Sequence, residues 1–478
     1  MKRTRSTIFA ILILSVPALA IGETALPLPV RNALDYRKVP HDVLSVYVEE
    51  LATGNIVLAW KEDTPRNPAS VEKMVTTLVA LDSLGPSYRW KTEVSALGDI
   101  ADGSLDGDLL LKGYGDPYLV TERFWQMLRR IRQNGIENIA GNLLLDDSYF
   151  DVGGYDPSAF DRAPLRAYNV SPNALLTNFK VVRYFFEPDP QTSRVRVTLE
   201  PSLDNLDVVN QLRVAKGACR GYQRGITITP NDDLSRVTFS GRFPSGCDLY
   251  AMDRTALSHN EFTYGLFKSL WAESGGDFSG EWANVIADEL IVDDAHEPLV
   301  TFDSLPLSEV IAKVNKYSNN VMAKQLLFTL AAEKYGPSGT EAKGREVVRE
   351  WLAEHGMDFA ELRIENGAGL SRHSRMTARH LASMLRYAYE SPFMPEYLSS
   401  LSLSGLDGTL SRRFRNSALT GQAHMKTGSL DHVSAVAGYF QSRSGNRYIV
   451  VTMLNHTDIH RGPGEEVQEM LLRWLYER

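Results

Sequence analysis

The chain has 478 residues, with 43% hydrophobic and 23% charged side chains, an ordinary globular balance over a length that suits two or more domains. Its 51 basic residues are outnumbered by 59 acids, and a formal charge of −8 argues against nucleic acid as a partner. The ten histidines form no HExxH and the two cysteines no CxxC, so neither a metal nor another cofactor is expected.

Lys2, Arg3 and Arg5 precede an apolar run from Ile8 to Leu14 and a small-residue site at Ala18-Leu19-Ala20, the pattern of a cleaved export signal over residues 1–20. The uncharged stretch is short of the ~20 residues needed to span a membrane. The mature protein is therefore expected to be exported and soluble in the periplasm, without stable membrane insertion. No cysteine follows the signal to carry a lipid.

Alternation from Val43 to Trp60 around Thr53-Gly54-Asn55 predicts a hairpin. A buried helix is predicted from Ser70 to Leu84, stopped by Gly85-Pro86. Short alternating strands follow between about 190 and 250, such as Val195/Val197/Leu199 and Val237/Phe239. This β-rich region holds Cys219 and Cys247, which an oxidising compartment would join. The alternative, a reactive thiol in Gly217-Ala218-Cys219-Arg220-Gly221, lacks the strand-turn-helix setting of a nucleophile elbow. Further helices are predicted over 307–334, 343–355, 377–389 and 465–478. Strands are predicted over 423–427, 435–441 and 447–454.

Three short motifs stand in order along this framework: Ser70-Val71-Glu72-Lys73, Ser318-Asn319-Asn320 and Lys426-Thr427-Gly428. Each alone is weak, but SxxK, a central Ser-x-Asn and KTG together form the set shared by penicillin-binding proteins and class A β-lactamases. Spacing three on a helix puts Lys73 beside Ser70. Burial and the positive helix end disfavour the charged amine, so Lys73 can act as the base that activates Ser70. Ser318 is expected to relay a proton to the leaving amine, with Asn320 holding Lys73 and the substrate backbone. Lys426 and Thr427 would meet a terminal carboxylate, and Gly428 would admit the peptide backbone. The N–H groups of Ser70 and Ser429 are the expected oxyanion donors.

With Gly107–Gly113, Gly115-Asp116-Pro117, Gly369-Leu370-Ser371-Arg372, Asp407-Gly408-Thr409-Leu410 and His424–Ser429, these motifs make nearly the whole mature chain resemble the class C low-molecular-mass D-Ala-D-Ala carboxypeptidases, the penicillin-binding protein 4-like family. The resemblance implies an α/β fold of the penicilloyl-serine transferase type, an antiparallel sheet flanked by helices. It also implies a catalytic domain formed by 21–90 and 295–478, split by an insertion at 91–294 with two nested subdomains and a β-rich part near 190–255. It implies carboxypeptidase or endopeptidase action on peptidoglycan peptides that end in D-Ala-D-Ala or are cross-linked, with β-lactams as covalent inhibitors. Arg372 is a candidate substrate-binding residue, and Asp161 a candidate for the amine of the substrate's diamino acid. The chain departs from the family at Asn366-Gly367-Ala368-Gly369, where Asp-Gly-Ser-Gly is usual, and at Asn319, where Asp is usual.

Two other readings are weighed. A β-lactamase needs a further acid to deacylate, commonly a Glu four residues ahead of an Asn, but position 362 is Leu and Glu365 adjoins Asn366. A non-catalytic wall-binding protein would be expected to break at least one motif, and all three are intact.

Overall fold

The computed structural model describes residues 25–189, 191–290 and 297–478, so the expected export signal at 1–20 lies outside the described residues. The two ends of the described chain build one sheet. The hairpin Leu44–Glu50/Ile56–Trp60 adds to Arg447–Asn455, with Val46 opposite Thr452. Strand order runs Ser402–Leu403, Ala423–Leu430, Val433–Gln441, Arg447–Asn455, Leu44–Glu50, Ile56–Trp60, antiparallel throughout.

Side chains alternate across a strand, so each face of this sheet presents a separate apolar set. Ala435, Ala437, Tyr439, Val451 and Met453 pack with the helices Lys73–Leu84, Leu307–Tyr317, Asn320–Tyr335 and Ala378–Glu390. Val46, Val48, Val436 and Val450 pack instead with Val467, Leu471 and Leu475 of the last helix, Pro463–Tyr476, and with Leu34 of Leu28–Tyr36. This is the α/β arrangement expected, a helix-flanked antiparallel sheet.

One predicted helix is interrupted. The apolar pattern over 307–334 reads as continuous, but Leu307–Tyr317 ends at Ser318 in left-handed conformation (φ 57°), and Asn319 starts a new helix by accepting the Met322 N–H at 3.1 Å. An asparagine side chain competes well for a helix-start N–H, which explains the break. The interruption lifts Ser318 out of the helix surface.

Between these halves lie two further sheets with a shared core. One contains Lys91–Ala101, Ser104–Gly113 and Leu143–Asp146; the other is six-stranded, from Val181–Asp189 to Tyr250–Thr255. Both contribute to an interior that includes Leu109, Leu143, Tyr184, Phe239, Phe262 and Trp271. Val300–Asp303, past the boundary expected at 295, still pairs with Lys91–Ala101, so the interposed segment returns to its own first strand before the catalytic helices resume.

Cys219 and Cys247 form a disulfide with Cα atoms 4.7 Å apart. Topology explains the pairing: Asp207–Ala218 and Arg236–Gly246 are parallel neighbours, and each cysteine directly follows one of them. Closing the loop, 28 residues in sequence separation, contributes on the order of 3 kcal/mol. Thiol titration of denatured, unreduced protein should find no free thiol, and Cys219→Ser with Cys247→Ser should lower the unfolding midpoint. Two reactive thiols in the unreduced protein would contradict the pairing.

Candidate active site

The site begins with a sharp turn. Ala69 has φ 48°, a left-handed conformation that a non-glycine residue adopts only under constraint. Asn67 Oδ1 accepts the Ala69 N–H at 2.8 Å, while Asn67 is itself held by Asn455 at the end of its strand and by the Ser371 carbonyl. Two glycines close on the same turn. A Cβ at Gly428 would lie 2.4 Å from the Pro68 oxygen, and one at Gly369 would lie 1.9 Å from the Ala69 oxygen. The glycine of Lys426-Thr427-Gly428 is thus required by contact with the serine turn, a different reason from the substrate approach expected from sequence.

Ser70 follows in a 3-10 turn, Ala69–Glu72, and Lys73 opens the α-helix, so the expected helix start is the tighter of the two helical forms. Lys73 is fully buried, with Nζ 3.0 Å from Ser70 Oγ, 2.6 Å from Asn320 Oδ1 and 2.5 Å from the Ala368 oxygen. Burial, then the charge of Lys426, drives its amine well below the ordinary lysine range, with Glu72 opposing. The contacts fit a neutral amine. Asn320 Oδ1 and the Ala368 carbonyl can only accept, so they take its two N–H bonds and leave the lone pair for the one partner able to donate, the Ser70 hydroxyl. The Asn320 amide orientation is fixed from its other end, where Nδ2 donates to the Tyr168 oxygen at 3.2 Å.

Lys426, also buried, donates to Ser318 Oγ at 2.9 Å and to the Thr427 oxygen at 2.7 Å, and burial pushes its amine down to about 7. Its nitrogen therefore faces Ser318 and does not reach into the open groove. Thr427, half-buried, bonds Thr409 Oγ1 at 2.8 Å, and Ser429 is exposed on the same strand. Among the described residues the neighbouring short strand pairs with His424 and Met425 and leaves that side of Lys426–Ser429 without a strand partner.

The structure thus brings Ser70, Lys73 and Asn320 into one set of contacts and Ser318 and Lys426 into a second, with the charge of Lys426 acting on Lys73. Asp161 and Arg372 stand outside both, on or against the loop of residues 155–170. Arg372 stacks over Phe160 at 5.0 Å and lines a cavity of about 270 Å³ with Tyr155, Asn169 and Ser371. Partial desolvation works against Asp161, yet hydrogen bonds from Tyr168, Asn169 and the Ala163 N–H hold its carboxyl below the ordinary range. A separate cleft of about 760 Å³ runs past Tyr168, Ser318, Asn320 and Phe179 to Arg183 and Asp253 of the interposed sheet. Sequence reasoning missed Asn67, Asn455, Tyr168 and the Ala368 carbonyl as parts of the site; three act from loops or a strand end far away in sequence, and two of the four contribute only a main-chain oxygen. The departures at Asn366 and Asn319 are accommodated: Asn366 bonds Leu370 O and Ala368 N, and Asn319 caps its helix.

One trio among the described residues, His432, Asp458 and His460, has ligand atoms close enough to consider a cation. Each imidazole Nδ1 instead accepts a backbone N–H, of Asp458 and His432 respectively. A ligating histidine donates its second nitrogen to an acceptor, so this arrangement suits turn bracing and not a metal.

A helix-flanked antiparallel sheet with its serine turn wedged against the strand Ala423–Leu430 is the penicilloyl-serine transferase fold. The chain belongs to the D-Ala-D-Ala carboxypeptidase 3 (S13) family, whose model matches residues 30–477, and as a member it is a serine-type D-Ala-D-Ala carboxypeptidase. It is 28% identical over 438 residues to the D-alanyl-D-alanine carboxypeptidase of Actinomadura sp. (strain R39), covering 88% of this chain and 78% of that protein. It is 24% identical to the carboxypeptidase DacB of Haemophilus influenzae, covering 84% and 83%. The crystal structure of penicillin binding protein 4 from H. influenzae superposes with a TM-score of 0.77 at 22% identity, over 94% of this chain and 99% of that one. A predatory peptidoglycan endopeptidase of Bdellovibrio bacteriovorus superposes at 0.53 and 17% identity, over 90% and 92%.

Glu72, between Ser70 and Lys73, is buried, accepts the Gly369 N–H at 3.2 Å and faces Ser374; burial pushes its carboxyl up to about 7 from 4.5. A buried carboxyl raised in the folded state costs stability as pH climbs from its unfolded value through its folded one. Glu72→Gln should therefore melt close to wild type near pH 5 and several degrees above it near pH 8. A melting difference that does not change with pH would contradict the burial of an uncompensated carboxyl.

Proposed function

We propose that Ser70 is the acylating nucleophile and neutral Lys73 its general base, acting on peptidoglycan peptides that end in D-Ala-D-Ala. The observation that carries this is the three-way contact of a buried lysine nitrogen, two partners that only accept and one that can donate. Lys73 Nζ takes the Ser70 proton as Oγ attacks the carbonyl of the penultimate D-alanine. The N–H groups of Ser70 and Ser429 receive the oxyanion. Ser318 hands its hydroxyl proton to the leaving amine and takes one in turn from Lys426, which donates to it. Thr427 and Ser429 meet the terminal carboxylate, with Lys426 acting on it through the field of its charge, and Asp161 and Arg372 present candidate groups for the peptide's side chain. Water then hydrolyses the acyl-enzyme.

The same chemistry applied to a cross-linked peptide is DD-endopeptidase action, and the cleft of about 760 Å³ beside Ser318 and Asn320 offers more room than a single D-alanine occupies. Such a substrate places the protein in the periplasm after export, in keeping with its disulfide; among the described residues no helix is long and apolar enough to cross a membrane.

The β-lactamase alternative needs a deacylating acid, and neither Glu365 nor Glu72 stands free to be one. The Glu365 carboxylate is engaged by the Ser371 hydroxyl, and Glu72 is buried with its oxygens toward Gly369 and Ser374. A penicillin acyl-enzyme keeps its leaving nitrogen tethered, which blocks water, whereas D-alanine departs and admits it. Intact-mass spectrometry should show a penicilloyl adduct on wild type that outlasts one peptide turnover many times and is absent in Ser70→Ala, while D-alanine is released catalytically from a D-Ala-D-Ala muropeptide. Rapid adduct loss with consumption of penicillin would favour the β-lactamase; no adduct would favour a wall-binding protein. Lys73→Ala should slow acylation by roughly 100- to 10,000-fold. Lys73→Arg should be nearly as slow, because a guanidinium does not release its proton. Near wild-type acylation by the Arg variant would exclude Lys73 as the base.

A further inference from the structure

Lys324 is a buried cation for which the acyl chemistry above has no use. It lies four residues beyond Asn320 on the helix Asn320–Tyr335, so the two side chains share a face. It is 2% exposed and forms no ion pair among the described residues. An ammonium so placed is costly to bury and calls for a specific set of acceptors.

Its partners form a pattern. Lys324 Nζ donates to the Val170 oxygen at 2.9 Å and to Tyr155 OH at 2.6 Å. Tyr155 OH in turn donates to the Asn169 oxygen at 3.0 Å, and Asn320 Nδ2 donates to the Tyr168 oxygen at 3.2 Å. Three successive carbonyls, 168 to 170, are therefore each tied to the helix face that carries Asn320. The first of them decides which way the Asn320 amide points. With Nδ2 committed to Tyr168, Oδ1 is left to receive Lys73 at 2.6 Å.

We propose that Lys324 is a positioning residue for acylation, pinning the carbonyls of residues 168–170 to the catalytic helix so that the Asn320 amide presents its oxygen to Lys73. This rests on the assignment of Lys73 as the base and deepens it. Lys324 also adds positive charge to the surroundings of Lys73, alongside Lys426 from the strand Ala423–Leu430 and against Glu72 from the same turn. Lys324 itself is faced by Glu341 of the helix Glu341–Glu354, whose carboxylate Arg345 holds at 2.7 Å. The two effects are read separately: an Asn320 amide no longer held in place slows acylation at every pH, whereas the charge acts on the Lys73 proton. Without Lys324 the Lys73 amine holds its proton more tightly, and acylation requires a higher pH.

The test is the pH dependence of acylation by a fluorescent penicillin, read for wild type, Lys73→Ala, Lys324→Met and Lys324→Arg. Wild type should show an acidic limb that Lys73→Ala lacks; a limb shared by both would remove Lys73 as the base and this proposal with it. In Lys324→Met the rate above the limb should fall because the Asn320 amide is no longer held, and the limb should move up through loss of a nearby charge, so that acylation near neutral pH drops about tenfold. Lys324→Arg, which keeps the charge, should return the limb close to wild type. A Lys324→Met variant that acylates at the wild-type rate above its limb overturns the positioning role while leaving Lys73 as the base. Should that variant fail to fold, Tyr155→Phe decides, since it keeps the cation and cuts the strut to Asn169. Slower acylation at every pH with an unmoved limb supports the proposal, and wild-type acylation overturns it.

Discussion

A lysine nitrogen sealed from water must choose its protonation state by its neighbours. Lys73 has two neighbours that can only accept and one that can also donate, and burial next to Lys426 disfavours a third bond to hydrogen. Much of the surrounding structure serves that arrangement. The left-handed Ala69 aims Ser70, the loop through Gly367 and Gly369 delivers the Ala368 carbonyl, and the helix break at Ser318 sets Asn320 at the start of its own helix. Loss of any one would leave the amine either solvated or wrongly partnered, and a solvated lysine is an ammonium at neutral pH.

The fold supplies this precision by joining distant parts of the chain. The serine turn is pressed between Gly428 on the strand Ala423–Leu430 and Gly369 on a loop, while Asn67 is fastened to Asn455 at the end of Arg447–Asn455, two strands away in the same sheet. Such contacts run over several hundred residues of sequence, and the sheet that makes them possible is closed by the N-terminal hairpin pairing with Arg447–Asn455. The interposed sheets have their own core and reach the site chiefly through the loop of residues 155–170 and the cleft wall. A large insertion can therefore be carried without disturbing the central geometry.

Much of this was legible in the sequence, for local reasons. Spacing three in Ser70–Lys73, alternation from Val43 to Trp60 and the helical pattern over 465–478 are short-range signals, and each matches the structure within a few residues. What could not be read was set by partners remote in sequence. The helix predicted across 307–334 breaks because Asn319 wins a helix-start N–H, a competition that apolar periodicity does not register. Gly428 suggests a passage for substrate until the Pro68 carbonyl is found against it. The Ala368 carbonyl is a main-chain atom, so its residue type carries no sign of its role. Lys426 reads as a charge for the groove, and only burial shows it turned into Ser318.

The account stands on the charge of one nitrogen, and that charge is directly observable. With lysines labelled at 13Cε and the Lys73→Ala variant used to assign the signal, the chemical shift of Lys73 should titrate well below the ordinary lysine value of 10.5. A Lys73 signal that stays that of an ammonium up to pH 10 would contradict the account.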